Sequence, residues 1–330
     1  MTSGRRVTDA GRTLHVEVPA FAKLNLDLRV LHKRPDGYHE IRTIFQTISL
    51  RETLGIEFCR ARRTELILDS SIDIEDNIVL RAARAVLDRL GMTAWVRLFL
   101  RKRIPMGAGL GGGSSDAAAV LRALPVLAGK SVPQGQLHEI AAALGSDVPF
   151  FLYGGTALGL GRGTELYPLP DIGALPALVV ASGVHVSTSD AYRSLERGVH
   201  TRPRSNITDS LTSHDVLPIL GEFQAIAWGL HRAALGRLHL KNDFEKAVFS
   251  VHPELASLSK KLKRLGAKPA LMTGSGSALF GIFASVAEAK TAAGRFPAGW
   301  AYPVRFLPRA GYCAAWRRAL GDAAQASFPA

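Results

Sequence analysis

The chain has 330 residues, 47% of them hydrophobic, and a formal net charge of +13 from 41 Lys and Arg against 28 Asp and Glu. That length and apolar content exclude a disordered chain or a disulfide-stapled miniprotein, and suit two domains or one large one with a real core. Two widely separated cysteines, Cys59 and Cys313, form neither a disulfide framework nor a zinc pattern and fit a reducing cytoplasm. No apolar run reaches the length of a membrane span. The basic clusters Arg101, Lys102, Arg103 and Lys260, Lys261, Lys263, Arg264 lack the interleaved aromatics of a base-stacking surface. They read as solvated faces, so no nucleic-acid or membrane partner is expected.

Residues 1–12 carry Arg5 and Arg6 with no apolar segment behind them, and read as a short disordered tail. Residues 16–30 alternate with period two. Val18, Ala20, Ala22, Leu24, Leu26, Leu28 and Val30 point one way, while Phe21, Lys23, Asn25, Asp27 and Arg29 point the other. The second face is therefore solvent or a cleft. A lysine between apolar or small neighbours needs an anionic partner or a phosphate. Arg34-Pro35-Asp36-Gly37 is a turn, with Tyr38 and His39 behind it. A tyrosine–histidine pair beside a cleft can stack on and hydrogen-bond to a heterocycle. Residues 41–50, 54–58 and 66–68 read as strands. Residues 77–90 read as an amphipathic helix and 95–100 as another strand.

The most informative stretch follows. Residues 105–116 read Pro105, Met106, Gly107, Ala108, Gly109, Leu110, Gly111, Gly112, Gly113, Ser114, Ser115, Asp116. Glycines permit positive φ and close backbone approach. A run of them feeding a helix start directs several N–H groups one way, at the positive end of the helix dipole, and so forms a cradle for phosphate. The helix is expected to start at residues 114–116, where side-chain oxygens cap it, and to stop at Pro125. Gly107, Gly109 and Gly112 formally match a dinucleotide fingerprint, but the βαβ unit and distal acid of that motif are absent.

Residues 136–144 read as a helix stopped by Gly145. Asp147 follows, as an N-cap ahead of Pro149 or as a general base. The glycine-rich segment 154–163 connects strands, and 177–186 is a strand. Residues 199–214 form a polar, turn-rich loop that reads as mobile, and helical patterns occupy 216–266. Residues 270–283 read as strand, glycine turn and strand, with Thr273, Gly274 and Ser275 in the turn. Strands and helices mix in both halves, which indicates an α+β chain of two domains, 13–168 and 169–330.

The loop at 105–115 resembles the second motif of the GHMP small-molecule kinases, and the turn at 271–279 resembles their third. Three further blocks narrow the match: Ala22-Lys23-Leu24-Asn25-Leu26, Asp36-Gly37-Tyr38-His39-Glu40, and Gly145 through Phe151. Together they resemble the GHMP branch that acts on a cytidine-diphosphate-linked methylerythritol. Mevalonate and homoserine kinases, the next alternatives, lack the Asp-Gly-Tyr-His block. A non-catalytic fold relative is disfavoured because Lys23 and Asp147 are both present.

The resemblance implies a two-domain GHMP kinase fold with its site in the cleft between domains, and a monomer or homodimer. It implies ATP and Mg²⁺ as cofactors and phosphorylation of the substrate's 2-hydroxyl on the non-mevalonate route. Asp147 would accept the hydroxyl proton and Lys23 would stabilise the alkoxide and the transferred phosphoryl. Residues 105–115 would hold ATP, with Asn77 at the adenine. Tyr38 would stack on cytosine, His39 would read its edge, and Tyr192 would face the ring's other side. Asn25, Thr273, Gly274 and Ser275 would contact substrate, Ser114 or Ser115 would be the first place to seek a Mg²⁺ ligand, and Asp116, where the family often has asparagine, would place a carboxylate near the phosphates. The match runs from about residue 16 to residue 285; segment 199–223 fits it poorly, and the similarity fades beyond 290.

Overall fold

A computed structural model describes residues 13–71, 77–198 and 239–321. The expected tail at 1–12 and the segment at 199–223 lie outside the described residues, and the helical pattern from 216 onward is described only from residue 239.

Two long strands, β1 (Leu14–Lys33) and β2 (His39–Arg60), form an antiparallel hairpin that organises the first half. The expected turn closes it. The Arg34 amide donates to the Tyr38 carbonyl at 2.7 Å, and the Arg34 guanidinium ties Asp36 (3.2 Å) to Glu40 (2.7 Å) across the bend. Periodicity divides residues 41–58 into two strands, yet β2 is continuous. Its middle stays in the ladder because β1 pairs with it on one side while β5 (Thr156–Leu160) and then β4 (Ala94–Arg101) take turns on the other. With β3 (Glu65–Ser70) and β6 (Glu165–Pro168) these make a six-stranded sheet, drawn from residues 14–168. The glycine-rich segment expected only to connect strands thus contains β5 itself.

Helices α1 (Ile78–Arg89), α2 (Gly112–Leu127), α3 (Gln134–Leu144) and the single turn α4 (Phe150–Tyr153) follow from the first half. Helix α1 buries Val79, Ala82, Ala83, Val86 and Leu87, and it packs on α2. Helix α2 begins two residues earlier than its side-chain oxygens suggest. Its N-cap is Gly111 in the left-handed region (φ +71°), and no side chain caps it. It also runs through Pro125 to Leu127. Proline there removes one backbone donor close to the helix end, where the loss is small beside the burial of the alanine-rich face.

A four-stranded sheet follows, in the order β10 (Ala301–Arg305), β7 (Pro176–Val180), β9 (Leu279–Ile282), β8 (Ala270–Met272). The strand expected over 177–186 ends at Val180, and residues 181–187 lead into α5 (Thr188–Gly198). Helices α6 (Phe244–Val251), α7 (Pro253–Arg264) and α8 (Val286–Ala293) belong to this half. Strands change sheet between Pro168 and Pro176, next to the expected boundary. The last helix, α9 (Arg309–Leu320), nevertheless returns to the first core, where Tyr312 and Trp316 are buried beside Phe21 and the Tyr312 hydroxyl donates to the Phe151 carbonyl at 2.5 Å.

Gly154 makes that return possible. Its φ is +67°, and a Cβ there would lie 2.4 Å from the Tyr312 ring. Gly154→Ala is expected to cost about 2–5 kcal/mol through left-handed strain and overpacking. Urea unfolding measures it, and a cost below about 0.5 kcal/mol would mean that α9 does not dock here.

Candidate active site

The glycine loop is anchored from two sides. The Lys23 amide donates to the Leu110 carbonyl at 3.0 Å, tying the loop to β1, and the Ala278 amide donates to the Ala108 carbonyl at 3.1 Å, tying it to the β8–β9 turn. At Gly109 (φ +76°) a Cβ would stand 2.3 Å from the Thr273 carbonyl oxygen, and at Gly111 a Cβ would meet the Phe151 ring and the Lys23 side chain. These glycines therefore do more than aim amides: they let the loop wedge between the two sheets. The first-turn amides of α2 have no intrahelical acceptors, and no side chain caps them.

Two cavities meet at this loop. The larger, about 870 Å³, is lined by Lys23, Asn25, Tyr38, His39, Asp147, Tyr192, Gly274 and Ser275 among others. The smaller, about 470 Å³, is lined by Asn77 and residues 105–114, with Lys102 and Asp116 at its floor. Gly107, Gly109 and Ser114 line both. Of the loop residues expected at a phosphate, Ser115 alone is buried away from both walls.

Lys23 is 3% exposed on β1. Its ammonium Nζ donates to Asn25 Oδ1 at 2.6 Å and lies 3.1 Å from Asp147 Oδ2, 124 residues further along the chain. Asn25 is held in turn: its Nδ2 donates to Thr43 Oγ1 at 2.7 Å and its backbone N–H to Thr273 Oγ1 at 2.9 Å. So Asn25 orients Lys23, and the fully buried Thr273 reaches the cleft only through Asn25. Asp147 caps no helix among the described residues: α4 starts at Phe150, its N-cap Pro149 has no side-chain cap bond, and Asp147 lines the cleft. The polar face of β1 is not solvent, since Asn25 and Asp27 are as buried as the apolar face.

On the opposite wall Tyr38 is 51% exposed, with the Arg162 guanidinium 4.5 Å from its ring centroid. His39 stacks directly on Tyr192 (4.4 Å, 18° between planes), and Tyr192 meets Phe244 edge-on. Burial, then the nearby Asp147 carboxylate, pushes the Tyr192 phenol up to about 12. Tyr192 therefore stays a neutral hydrogen-bonding group in the same field as the Lys23–Asp147 pair. Arg162 and His185, which packs against Gly107, escaped sequence reasoning. A lone cation between Gly161 and Gly163 was the signal for the first; nothing local marks the second.

Comparison with known proteins places this geometry. Residues 77–155 match the GHMP kinase N-terminal domain and residues 219–301 the GHMP kinase C-terminal domain. The chain is 50% identical over 310 residues to a Solibacter usitatus protein named 4-diphosphocytidyl-2-C-methyl-D-erythritol kinase, covering 94% of each. It belongs to the 4-diphosphocytidyl-2-C-methyl-D-erythritol kinase family. A crystal structure of 4-(cytidine 5'-diphospho)-2C-methyl-D-erythritol kinase superposes with a TM-score of 0.69 at 36% identity, over 88% of this chain and 98% of that one. L. major mevalonate kinase in complex with R-mevalonate shares the fold alone, with a TM-score of 0.66 at 18% identity over 93% and 99% of the two chains. An alignment covering 94% of the chain necessarily runs past residue 290, where motif reading loses the similarity.

In this kinase Asp116 does not face the phosphates freely. Its Oδ2 receives Lys102 Nζ at 2.8 Å, and Lys102 also bonds Glu52. Lys102, expected on a solvated basic face, is buried. Burial first, with Glu52 adding to it against the pull of Lys102, pushes Asp116 up to about 7. Lys102 is held protonated, Asp116 and Glu52 outweighing its own burial. Asn77 caps α1 through Oδ1, accepting from the Val79 amide at 3.1 Å, and its Nδ2 makes no hydrogen bond among the described residues. Among the described residues no helix is long and apolar enough to cross a membrane.

A carboxyl raised from 3.8 to about 7 binds more protons folded than unfolded. Its contribution is fully present below 3.8 and is lost as pH rises towards about 7. Asp116→Asn should therefore be relatively more stable than the parent at neutral pH than at pH 4, as urea midpoints across that range will report. A parallel pair of pH profiles would contradict the raised carboxyl.

Proposed function

We propose that the chain transfers the γ-phosphoryl of ATP to the 2-hydroxyl of 4-diphosphocytidyl-2-C-methyl-D-erythritol, giving the 2-phosphate and ADP, a step of the non-mevalonate route to isopentenyl diphosphate. The observation that carries it is the Lys23–Asp147 pair, 3.1 Å apart beside the loop where the two cavities meet.

ATP occupies the smaller cavity, its phosphates against the amides of residues 107–114 and its base near Asn77. Asn77 lines this cavity at the start of α1, where its side chain already caps the helix. The sugar-alcohol substrate lies in the larger cavity, with its cytosine among Tyr38, His39 and Tyr192. His39 and Tyr192 stack on each other without ligand, so the base binds against that stack or displaces His39 from it. Gly274 and Ser275 close the substrate side, and Asn25 and Thr273 act by holding Lys23 in place.

Asp147 accepts the 2-hydroxyl proton as the oxygen attacks the γ-phosphorus, and the bond from γ-phosphorus to the bridging oxygen breaks to release ADP. Lys23 offsets the charge that develops on the attacking oxygen and the phosphoryl group. The loop amides do the same without reorganising. Bound Mg²⁺ would supply positive charge to offset that of the nucleotide's phosphates. Ser114, whose hydroxyl stands at the helix start between the cavities, is the kind of single oxygen donor Mg²⁺ uses when phosphates and water supply the rest. We place the kinase in the cytoplasm, acting on a small molecule as a monomer or homodimer; two cysteines far apart in the sequence suit a reducing compartment.

Purified protein should consume ATP only when the cytidine-linked alcohol is present, and mevalonate or homoserine should not replace it. Asp147→Asn should lower kcat by about 10²–10⁴-fold and leave ATP affinity intact. Near-normal turnover in that variant would remove the base role. Tyr38→Ala should raise the substrate KM by about 5- to 100-fold, the effect of losing one base–aromatic stack, with the ATP KM unchanged. Equal shifts in both constants would move Tyr38 away from the cytosine.

A further inference from the structure

A buried charge cluster behind the glycine loop has no part in the chemistry above. Glu52, at the middle of β2, is fully buried, as is Asp116, and Lys102 lies between them. Charged groups do not enter a core without partners, and here the partners lie at the two ends of the loop. Glu52 Oε2 accepts from the Arg103 amide at 2.7 Å and from the Ile104 amide at 3.4 Å, where the chain leaves β4 to enter the loop. Asp116 is the fifth residue of α2, one turn beyond the point where the chain leaves the loop. Lys102 Nζ joins the two carboxylates. Glu52 also lies close under the start of α2: a Cβ added to Gly112 would stand 3.2 Å from Glu52 Oε1.

We propose that Glu52, Lys102 and Asp116 form a buried clamp that fixes the entry and exit of the glycine loop relative to β2, making them positioning residues for the nucleotide's phosphates. The proposal rests on the nucleotide reading of the smaller cavity, whose floor Lys102 and Asp116 form. Loop amides stabilise a phosphoryl group only if they are already aimed, and aim is a matter of tenths of an ångström. Backbone bonds hold the loop's middle at Ala108 and Leu110. The clamp does the same for its ends, with charges that burial keeps from exchanging partners with water. The cluster holds one cation against two carboxylates.

The test uses the full chain with Lys102→Met and, separately, Glu52→Gln, which keeps its shape but weakens the acceptor at the loop entry. The measurements are ADP affinity by titration calorimetry, KM for each substrate, and amide hydrogen exchange over residues 105–113. Lys102→Met should weaken ADP and raise the ATP KM by about tenfold or more, and Glu52→Gln by about threefold or more. The KM for the cytidine-linked substrate should stay within about twofold, and loop amides should exchange faster than in the parent while those of α1 do not change. Folded variants that lose only unfolding midpoint, with ADP affinity and loop exchange as in the parent, would overturn the clamp. Failure of both variants to fold would overturn it equally, by assigning the cluster to stability alone. A parent protein that binds ADP but does not phosphorylate the cytidine-linked alcohol would sink the proposed substrate and leave the clamp to be judged by the other two readouts.

Discussion

The buried ammonium of Lys23 is the constraint around which the site is built. A lysine at 3% exposure stays charged only if its surroundings replace the water it has lost. Asn25 and Asp147 do that, and each has to be brought there and held. Asn25 is fixed by Thr43 from β2 and Thr273 from the second sheet. Asp147 is fixed by the short connection between α3 and α4. One cation thus draws on both sheets, and disturbing any of these supports leaves a charge with fewer partners at the wall of the cleft.

The glycine loop obeys a steric version of the same logic. It threads between the Thr273 carbonyl, the Phe151 ring and the Lys23 stem with no room for a Cβ at Gly109 or Gly111. Close passage brings the loop amides, the ammonium and the carboxylate to one place. It also makes the two cavities neighbours, so that a donor phosphate and an acceptor hydroxyl can meet without either ligand crossing solvent. The Asp-Gly-Tyr-His-Glu block has a divided task. Its acids are braced by Arg34 and shape the turn, while its aromatics face the cleft.

Much of this was legible in the residues. Period-two alternation located β1, the amphipathic stripe located α1, and the glycine run located the loop that leads into α2, because each is a local pattern imposed by backbone geometry. Motif order tied Lys23 to Asp147 across a long stretch of chain. The misses have a common origin in long-range packing. Strand β2 stays whole because of neighbours it meets only in the fold. Helix α2 passes Pro125 because burial outweighs one lost hydrogen bond. Asp147 declines a capping role because an ammonium from β1 is the stronger partner.

By itself the sequence determined most element types, the glycine loop ahead of α2, and the choice of Lys23 and Asp147 as the pair to look for. Only the tertiary structure decided that Lys102 is a buried brace and not a surface cation, that Thr273 acts through Asn25, and that His39 rests on Tyr192. The reason is range. Secondary structure and capping depend on residues a few positions apart, whereas burial, charge pairing and ring stacking depend on which distant segments come to share a few ångströms of space.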